Sequence, residues 1–352
     1  MTNLYLQSDI DQILRRLDPL LEDLSGKTIL LTGGRGFLGR YFMKIFEQIN
    51  DGFVKKPMKI IVLDNLITSS EVPMELKQKY FQYIEHDVVD PINISEDIHY
   101  IVHAAGIASP FYYRAYPLET LDVAITGTRR MLELAKEKHA KLIFFSSSEI
   151  YGDPDPKNVP IPESYKGNVS PQGPRACYDE SKRVGETLCY IYYNNYGVVT
   201  NSIRPFNVYG PGMQETDYRV LPNFASLIKA GKPLSVYGDG RQTRTFCYIT
   251  DAMVGFFLVM FKGVSGEAYN IGAPTPEVSM LELVKLINKI RESDVGFNLI
   301  DYPDSYPTDE PMRRSPDIRK AKLQLGFRPE VDLDEGLRRF FTWTDQFYIG
   351  NQ

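Results

Sequence analysis

Tyr178 and Lys182 stand four residues apart in Tyr178-Asp179-Glu180-Ser181-Lys182, a spacing that puts both side chains on one face of a helix. A nearby ammonium favours phenolate over phenol and draws a tyrosine down from its ordinary value of about 10. The pair therefore reads as a base able to take a hydroxyl proton while a second group takes a hydride. Such pairs also occur in helices that do no chemistry, so their surroundings decide. Upstream, Ser146-Ser147-Ser148-Glu149 closes an apolar run, and a serine hydroxyl at that point can hydrogen-bond a reacting oxygen. Further upstream, Thr32-Gly33-Gly34-Arg35-Gly36-Phe37-Leu38-Gly39 joins an apolar run to an amphipathic stretch. Glycines at 33, 36 and 39 permit a tight turn and the close approach of a diphosphate to a helix N-terminus. Asp64 ends the next apolar run, where its carboxylate can accept from an adenosine ribose or cap the turn before Asn65. No arginine follows it to hold a 2′-phosphate, which favours NAD over NADP.

These groups need a scaffold, and the chain supplies its pattern. Thr28–Thr32, Lys59–Leu63, His99–His103 and Lys141–Ser146 read as buried strands. Between them run amphipathic stretches such as Leu118–Lys138, with Leu121, Ile125, Thr128, Leu132 and Ala135 on one face. Continuous apolar strands alternating with helices mark a parallel sheet covered on both sides. A proline-rich, aperiodic stretch from Gly152 to Arg175 follows, long enough to expect a functional loop. It leads into a helix, Ala176–Tyr196, carrying Val184, Leu188 and Ile191 as a second apolar stripe. Short strands are expected at Thr200–Arg204, Pro233–Tyr237 and Ala268–Ile271, with helices near 220–230, 250–262 and 278–292.

Composition narrows the classes. The 352 residues are 43% hydrophobic and 24% charged, as in ordinary globular chains, and 40 basic against 45 acidic residues leave a net charge of −5. That balance argues against a nucleic-acid surface. Three scattered cysteines, Cys177, Cys189 and Cys247, form no disulfide framework, and His86, His99, His103 and His139 show no metal spacing. No apolar run reaches the roughly 18 residues of a membrane span, and Met1–Leu6 lacks the basic start and apolar core of a signal peptide. A soluble, cytoplasmic protein without metal is expected.

The combination resembles the extended short-chain dehydrogenase/reductase superfamily over roughly residues 27–345, and within it the UDP-glucuronate decarboxylases. The likeness runs through Ala108-Ser109-Pro110, Ser148–Pro154, Gly173–Arg183, Arg204-Pro205-Phe206-Asn207, Val236–Gly240, Gln242-Thr243-Arg244 and Arg314–Ile318. Serine at 147 stands where these decarboxylases carry threonine, and Ala104-Ala105-Gly106-Ile107 and Phe111-Tyr112 also depart from their pattern. The resemblance implies a Rossmann-like doubly wound α/β sheet with a smaller interleaved substrate domain. Its segments would be a helical extension at 1–25, an NAD-binding domain at 26–205 and 241–272, and a nucleotide-sugar domain at 206–240 and 273–352. It implies bound NAD against Gly33, Gly36, Phe37, Leu38, Gly39, Asp64, Asn65, Asp87, Val88, Ala104, Ala105, Tyr178, Lys182 and Arg204. A nucleotide-diphosphate sugar would meet Ser109, Tyr113, Asn207, Arg219, Val236, Tyr237, Arg244 and Arg314.

The implied chemistry is oxidation at C4 by Tyr178, Lys182 and Ser147, then loss of carbon dioxide from the resulting β-keto acid. Glu149 and Arg314 are the family's further catalytic positions, and hydride returns from NADH to C4. Ser148-Glu149 separates this pattern from 4,6-dehydratases, which place an aspartate before the glutamate, and from 4-epimerases, which usually lack the glutamate. Those two activities, and a non-catalytic NAD-binding regulator, stand as the alternatives. The resemblance also implies a homodimer joined by Leu118–Lys138 and Ala176–Tyr196 as a four-helix bundle.

Overall fold

Seven parallel strands form the central sheet: β1 (Thr28–Thr32), β2 (Lys59–Asp64), β3 (Phe81–Glu85), β4 (Tyr100–His103), β5 (Lys141–Phe145), β6 (Thr200–Pro205) and β11 (Ala268–Ile271). Their order is β11-β6-β5-β4-β1-β2-β3. This computed structural model describes residues 4–68, 76–302 and 311–350; residues 1–3, 69–75, 303–310 and 351–352, which the expected segments include, lie outside the described residues. Ile29, Leu30 and Leu31 on β1 and Ile60, Ile61 and Leu63 on β2 are fully buried, because helices cover both faces. Strand order reverses between β1 and β4, whose ends lie level through the Thr32–His103 pairing. A crevice opens beyond strand ends at such a reversal, and ligands bind there.

The shorter strands are β7 (Val208–Tyr209), β8 (Leu234–Tyr237), β9 (Thr243–Arg244), β10 (Cys247–Tyr248), β12 (Val278–Ser279), β13 (Phe297–Ile300) and β14 (Arg313–Arg314). They build three small sheets on one side of the crevice, β10-β7, β12-β9-β14 and β13-β8. The N-terminal helix Gln7–Leu21 is part of the main core. Its Ile10, Ile13, Leu14 and Leu17 pack in one apolar cluster with Leu337, Phe340 and Trp343 of the last helix, Leu333–Phe347.

The expected helix at 118–138 differs in detail. It runs as Pro117–Asp122, one wider turn at Val123–Gly127, and Thr128–Lys138. A π-turn inserts extra chain and shifts the phase of the apolar face. Thr128, Leu132 and Ala135 are accordingly buried, whereas Ile125 is left exposed.

The proline-rich stretch is ordered and has a task. Ile161 donates to the Ser315 carbonyl (2.8 Å) and accepts from the Asp317 amide (3.0 Å). The Met312 amide donates to Asp153 (3.0 Å). The loop thus grips the segment on either side of Arg314 and sets that arginine opposite the end of β5.

Candidate active site

The turn after β1 folds as the glycines require. Gly33 has φ +71°, and a Cβ there would meet the Ala105 backbone at 2.8 Å. A Cβ on Gly39 would fall 2.1 Å from the Gly33 carbonyl oxygen, so the helix Phe37–Gly52 packs directly under the turn. Gly36 caps that helix and faces a cavity of about 500 Å³. A helix N-terminus carries unpartnered amides and partial positive charge, which suits a diphosphate. A second cavity of about 130 Å³ continues from Gly33 and Gly36 to Asp64, Asn65, Asp87, Val88, Ala104 and Ala105. Phe37, Leu38 and Gly39 line the first. The Asp64 carboxylate accepts from the Arg35 amide (2.7 Å) and the Leu66 amide (2.9 Å). It therefore ties two turns together at the edge of the smaller cavity, where a ribose hydroxyl could meet it. Asp87 bonds Asn65 (2.8 Å) and the Val89 amide (3.0 Å). These residues fit a dinucleotide with an unphosphorylated adenosine ribose.

Arg204, expected against the cofactor, is placed differently from the other expected residues: it lines neither cavity. Its guanidinium is bidentate on Glu186 (2.8 and 2.6 Å) and also donates to the Tyr151 hydroxyl (2.6 Å) and the Glu163 carbonyl (3.0 Å). Four of its five donors are thus committed inside the fold.

Tyr178 and Lys182 lie on Ala176–Tyr196 facing the larger cavity. Gly185 lets that helix sit on β5, since a Cβ there would lie 2.2 Å from the Phe144 ring. Lys182 donates to the Phe145 carbonyl (2.8 Å), and its ammonium stands 5.7 Å from the Tyr178 ring centre. Tyr178 is hydrogen-bonded with Ser147 and stacks on Tyr113 at 5.3 Å. The expected lowering of the phenol is not what this environment gives. Burial is the larger effect and pushes Tyr178 up to about 12, while the Ser147 hydrogen bond pulls the other way. Burial also draws Lys182 down to about 8, so its ammonium still predominates near neutrality. A further positive charge is needed for the tyrosine to act as base near neutrality. His103 sits beneath, between Thr32 (2.8 Å) and Thr128 (3.1 Å), and burial takes it down to about 3. It is a neutral structural histidine.

In the same cavity, where the Glu149 amide donates to the Ser147 hydroxyl (3.2 Å), Arg314 grips the Glu149 carboxylate with two contacts of 2.5 and 2.6 Å. Arg175 binds the same carboxylate and approaches Asp179 at 3.5 Å. Burial first, and the charge of Glu149 second, push Asp179 up to about 7. Two guanidiniums, Arg175 and Arg314, thus meet on the Glu149 carboxylate beside Asp179. Arg175 and Asp179 were not singled out by the sequence analysis; their role depends on Glu149, which only the fold brings near.

The expected substrate residues Ser109, Tyr113, Asn207, Arg219, Val236, Tyr237, Arg244 and Arg314 all line the larger cavity. Arg219 is held by Asp217 (2.8 and 2.5 Å), and Asn207 donates to the Thr245 carbonyl (2.7 Å). Tyr237 stacks on Tyr302 at 5.5 Å, a flat aromatic wall suited to a base. Phe111 and Tyr218, 4.7 Å apart, meet across the mouth. Among the described residues no cluster could hold a metal ion, and no helix is long and apolar enough to cross a membrane.

Comparison with known proteins agrees with this geometry. The NAD dependent epimerase/dehydratase family matches residues 29–272. The UDP-glucuronic acid decarboxylase 1 of Xenopus tropicalis is 41% identical over 91% of this chain and 72% of its own. The UDP-glucuronic acid decarboxylase 6 of Arabidopsis thaliana is 39% identical over 89% of this chain and 87% of its own. Among solved structures, the UDP-glucuronic acid 4-epimerase of Bacillus cereus, in complex with UDP-glucuronic acid and NAD, superposes with a TM-score of 0.73. It is 27% identical, and the match covers 91% of this chain and all of that one.

Proposed function

The chain belongs to the NAD dependent epimerase/dehydratase family, and from that premise we infer a carboxy-lyase that converts UDP-glucuronate to UDP-xylose with NAD recycled in the site. The observation that carries the reading is the Glu149–Arg314 pair lining one cavity with Tyr178, Ser147 and Lys182. Decarboxylase relatives that share about 40% of their residues over most of the chain support it.

NAD bound along the Gly33–Gly39 turn would supply the hydride acceptor and donor for C4 and a positive charge that favours the phenolate. Tyr178 takes the C4 hydroxyl proton, and Ser147 holds the phenol oxygen in place. In the 4-keto sugar the carboxylate is β to a carbonyl, so breaking its carbon–carbon bond sends the electron pair into an enolate. That charge collects on O4, beside the Tyr178 and Ser147 hydroxyls. A phenol pushed up to about 12 stays protonated there and donates to the enolate oxygen. Arg314 and Arg175 receive the substrate carboxylate, and Glu149 between them relays the proton that quenches the enolate carbon. Arg219 and Arg244 suit the diphosphate because a guanidinium fork matches its oxygens.

Incubating the purified protein with UDP-glucuronate and weighing the sugar nucleotide by mass spectrometry tests the reading. Loss of carbon dioxide is expected, and an unchanged mass with an inverted C4 would assign 4-epimerisation. That second reading has one observation in its favour, the likeness to the Bacillus cereus 4-epimerase.

We further propose a homodimer through Pro117–Lys138 and Ala176–Tyr196. Leu118, Ile125 and Ile191 are exposed on these helices, and Val184 and Leu188 are only half-buried. Burying such a stripe against its symmetry mate removes apolar surface from water. A monomer mass by light scattering at micromolar concentration would rule the dimer out. A cytoplasmic location is proposed on the three cysteines, none of them in a disulfide among the described residues.

A further inference from the structure

Arg40 lies one turn into the helix that Gly36 caps, its amide donating to the Gly36 carbonyl at 3.0 Å. Side chains on a helix lean toward its N-terminus, so a residue one turn beyond Gly36 on the same face reaches back to the anion-binding end. Arg40 is 2% exposed and lines the larger cavity with Gly33, Gly36 and Gly39. Its Nη2 donates to the Gly212 carbonyl at 2.6 Å. Next to it, the Tyr41 hydroxyl donates to the Pro211 carbonyl at 3.0 Å. Two side chains of the cofactor helix thus hold two successive carbonyls of the loop that leads to Asp217 and Arg219. The Nη1 of Arg40 is buried and has no partner among the described residues, and no carboxylate there forms an ion pair with it. A buried guanidinium bound only to a neutral carbonyl is costly unless a further acceptor, best an anion, completes it.

We propose that Arg40 is a ligand of the diphosphate of NAD, and that its hold on Gly212 clamps the substrate-side loop over the bound dinucleotide. The inference rests on the NAD reading above. A fork of donors can meet a phosphate oxygen and a loop carbonyl at once, which a lysine cannot do from a single nitrogen. The placement also suits a redox-neutral cycle: a cofactor that takes a hydride and must give it back has to stay in the site between the two transfers. A diphosphate also sits at the end of the nucleotide sugar. Arg40 stands on the cofactor helix directly behind Gly36, so the NAD diphosphate is favoured.

The test uses the full chain as wild type, Arg40→Met and Arg40→Lys. The first readout is NAD per protein after denaturation, by chromatography. The second is titration calorimetry of the stripped proteins with NAD and, separately, with UDP. Arg40→Met should bind NAD about ten- to a hundredfold more weakly, the scale of one charge-assisted hydrogen bond, and bind UDP within about twofold of wild type. Arg40→Lys keeps the buried charge without the fork and should lose NAD affinity several-fold. It carries the test should Arg40→Met fail to fold by circular dichroism. Wild-type NAD affinity in the variant that folds would overturn the inference, and so would a loss of UDP affinity with NAD affinity intact. A wild type that takes up no NAD would instead overturn the cofactor reading itself.

Discussion

Replacing Glu149 by glutamine changes one atom type at the centre of the charge cluster and separates the two halves of the proposed reaction. The carboxylate accepts from both terminal nitrogens of Arg314 at 2.5 and 2.6 Å and from Arg175 as well. An amide offers one oxygen, and its NH2 then faces guanidinium donors, so at least one of the three contacts is lost outright and the rest lose the carboxylate's charge. Removing one partner of a fully buried pair costs roughly 3–5 kcal/mol. The Glu149 side chain keeps 17% exposure against 5% for Arg314, so water reaches the gap and about 2 kcal/mol is the expected loss of stability. The fold survives that, since a domain has roughly 5–15 kcal/mol in hand. Oxidation at C4 involves Tyr178, Ser147 and Lys182, whose side chains the change leaves intact, and should proceed. Release of carbon dioxide should slow by about a hundredfold or more, the scale of an acid–base group. Single-turnover mixing with UDP-glucuronate reads both: reduced nicotinamide by its absorbance, carbon dioxide by trapping. Reduced nicotinamide should build up ahead of carbon dioxide in the variant. Equal slowing of both signals, or wild-type carbon dioxide release, would refute the division of labour.

Three other outcomes follow from the same geometry. Tyr178→Phe should abolish C4 oxidation while the ring keeps its stack on Tyr113, so NAD content and folding stay near wild type; undiminished turnover would place the base elsewhere. Asp64→Ala should weaken NAD by roughly 1.5–3 kcal/mol through lost ribose bonds to a charged acceptor, and equal affinity by calorimetry would remove Asp64 from the site. For Lys182, burial lowers the folded value to about 8 from 10.5. Between those two pH values the unfolded chain holds the extra proton, so this residue makes stability rise with pH there by on the order of 3 kcal/mol, and below about 8 the buried charge is a standing cost. Denaturant titrations of stripped protein should show that alkaline rise in wild type and lose it in Lys182→Met; identical pH profiles would contradict the assignment.

The sequence made the local parts of this site readable and left out the parts that depend on distant chain. Gly33 and Gly39 declare a turn because no side chain fits there, with Gly36 between them as the helix cap, and Tyr178 and Lys182 declare a helix face because four residues make about one turn. The lining of the larger cavity followed from motif likeness, since each motif sits at a strand end or on a loop facing the same crevice. The Arg204–Glu186 pairing was not legible, because a strand-end arginine looks the same whether its fork meets a ligand or a carboxylate from a helix. The Tyr178 shift was misjudged because spacing reveals the ammonium and not the burial that outweighs it. Arg40 and Arg175 draw their meaning from Gly212 and Glu149, which come near only in the folded chain, whereas the Arg175–Asp179 spacing is one helical turn. The π-turn at Val123–Gly127 is likewise invisible to a 3.6-residue period, which it interrupts.

The most direct test of the central claim is one incubation with UDP-glucuronate labelled twice, with heavy carbon in the carboxylate and deuterium at C4. The account predicts that the carbon label leaves as carbon dioxide, one for each UDP-xylose formed, while the deuterium remains at C4 and no reduced nicotinamide accumulates in solution. A product that keeps the labelled carboxylate, or a C4 position whose deuterium has been exchanged away, would contradict it.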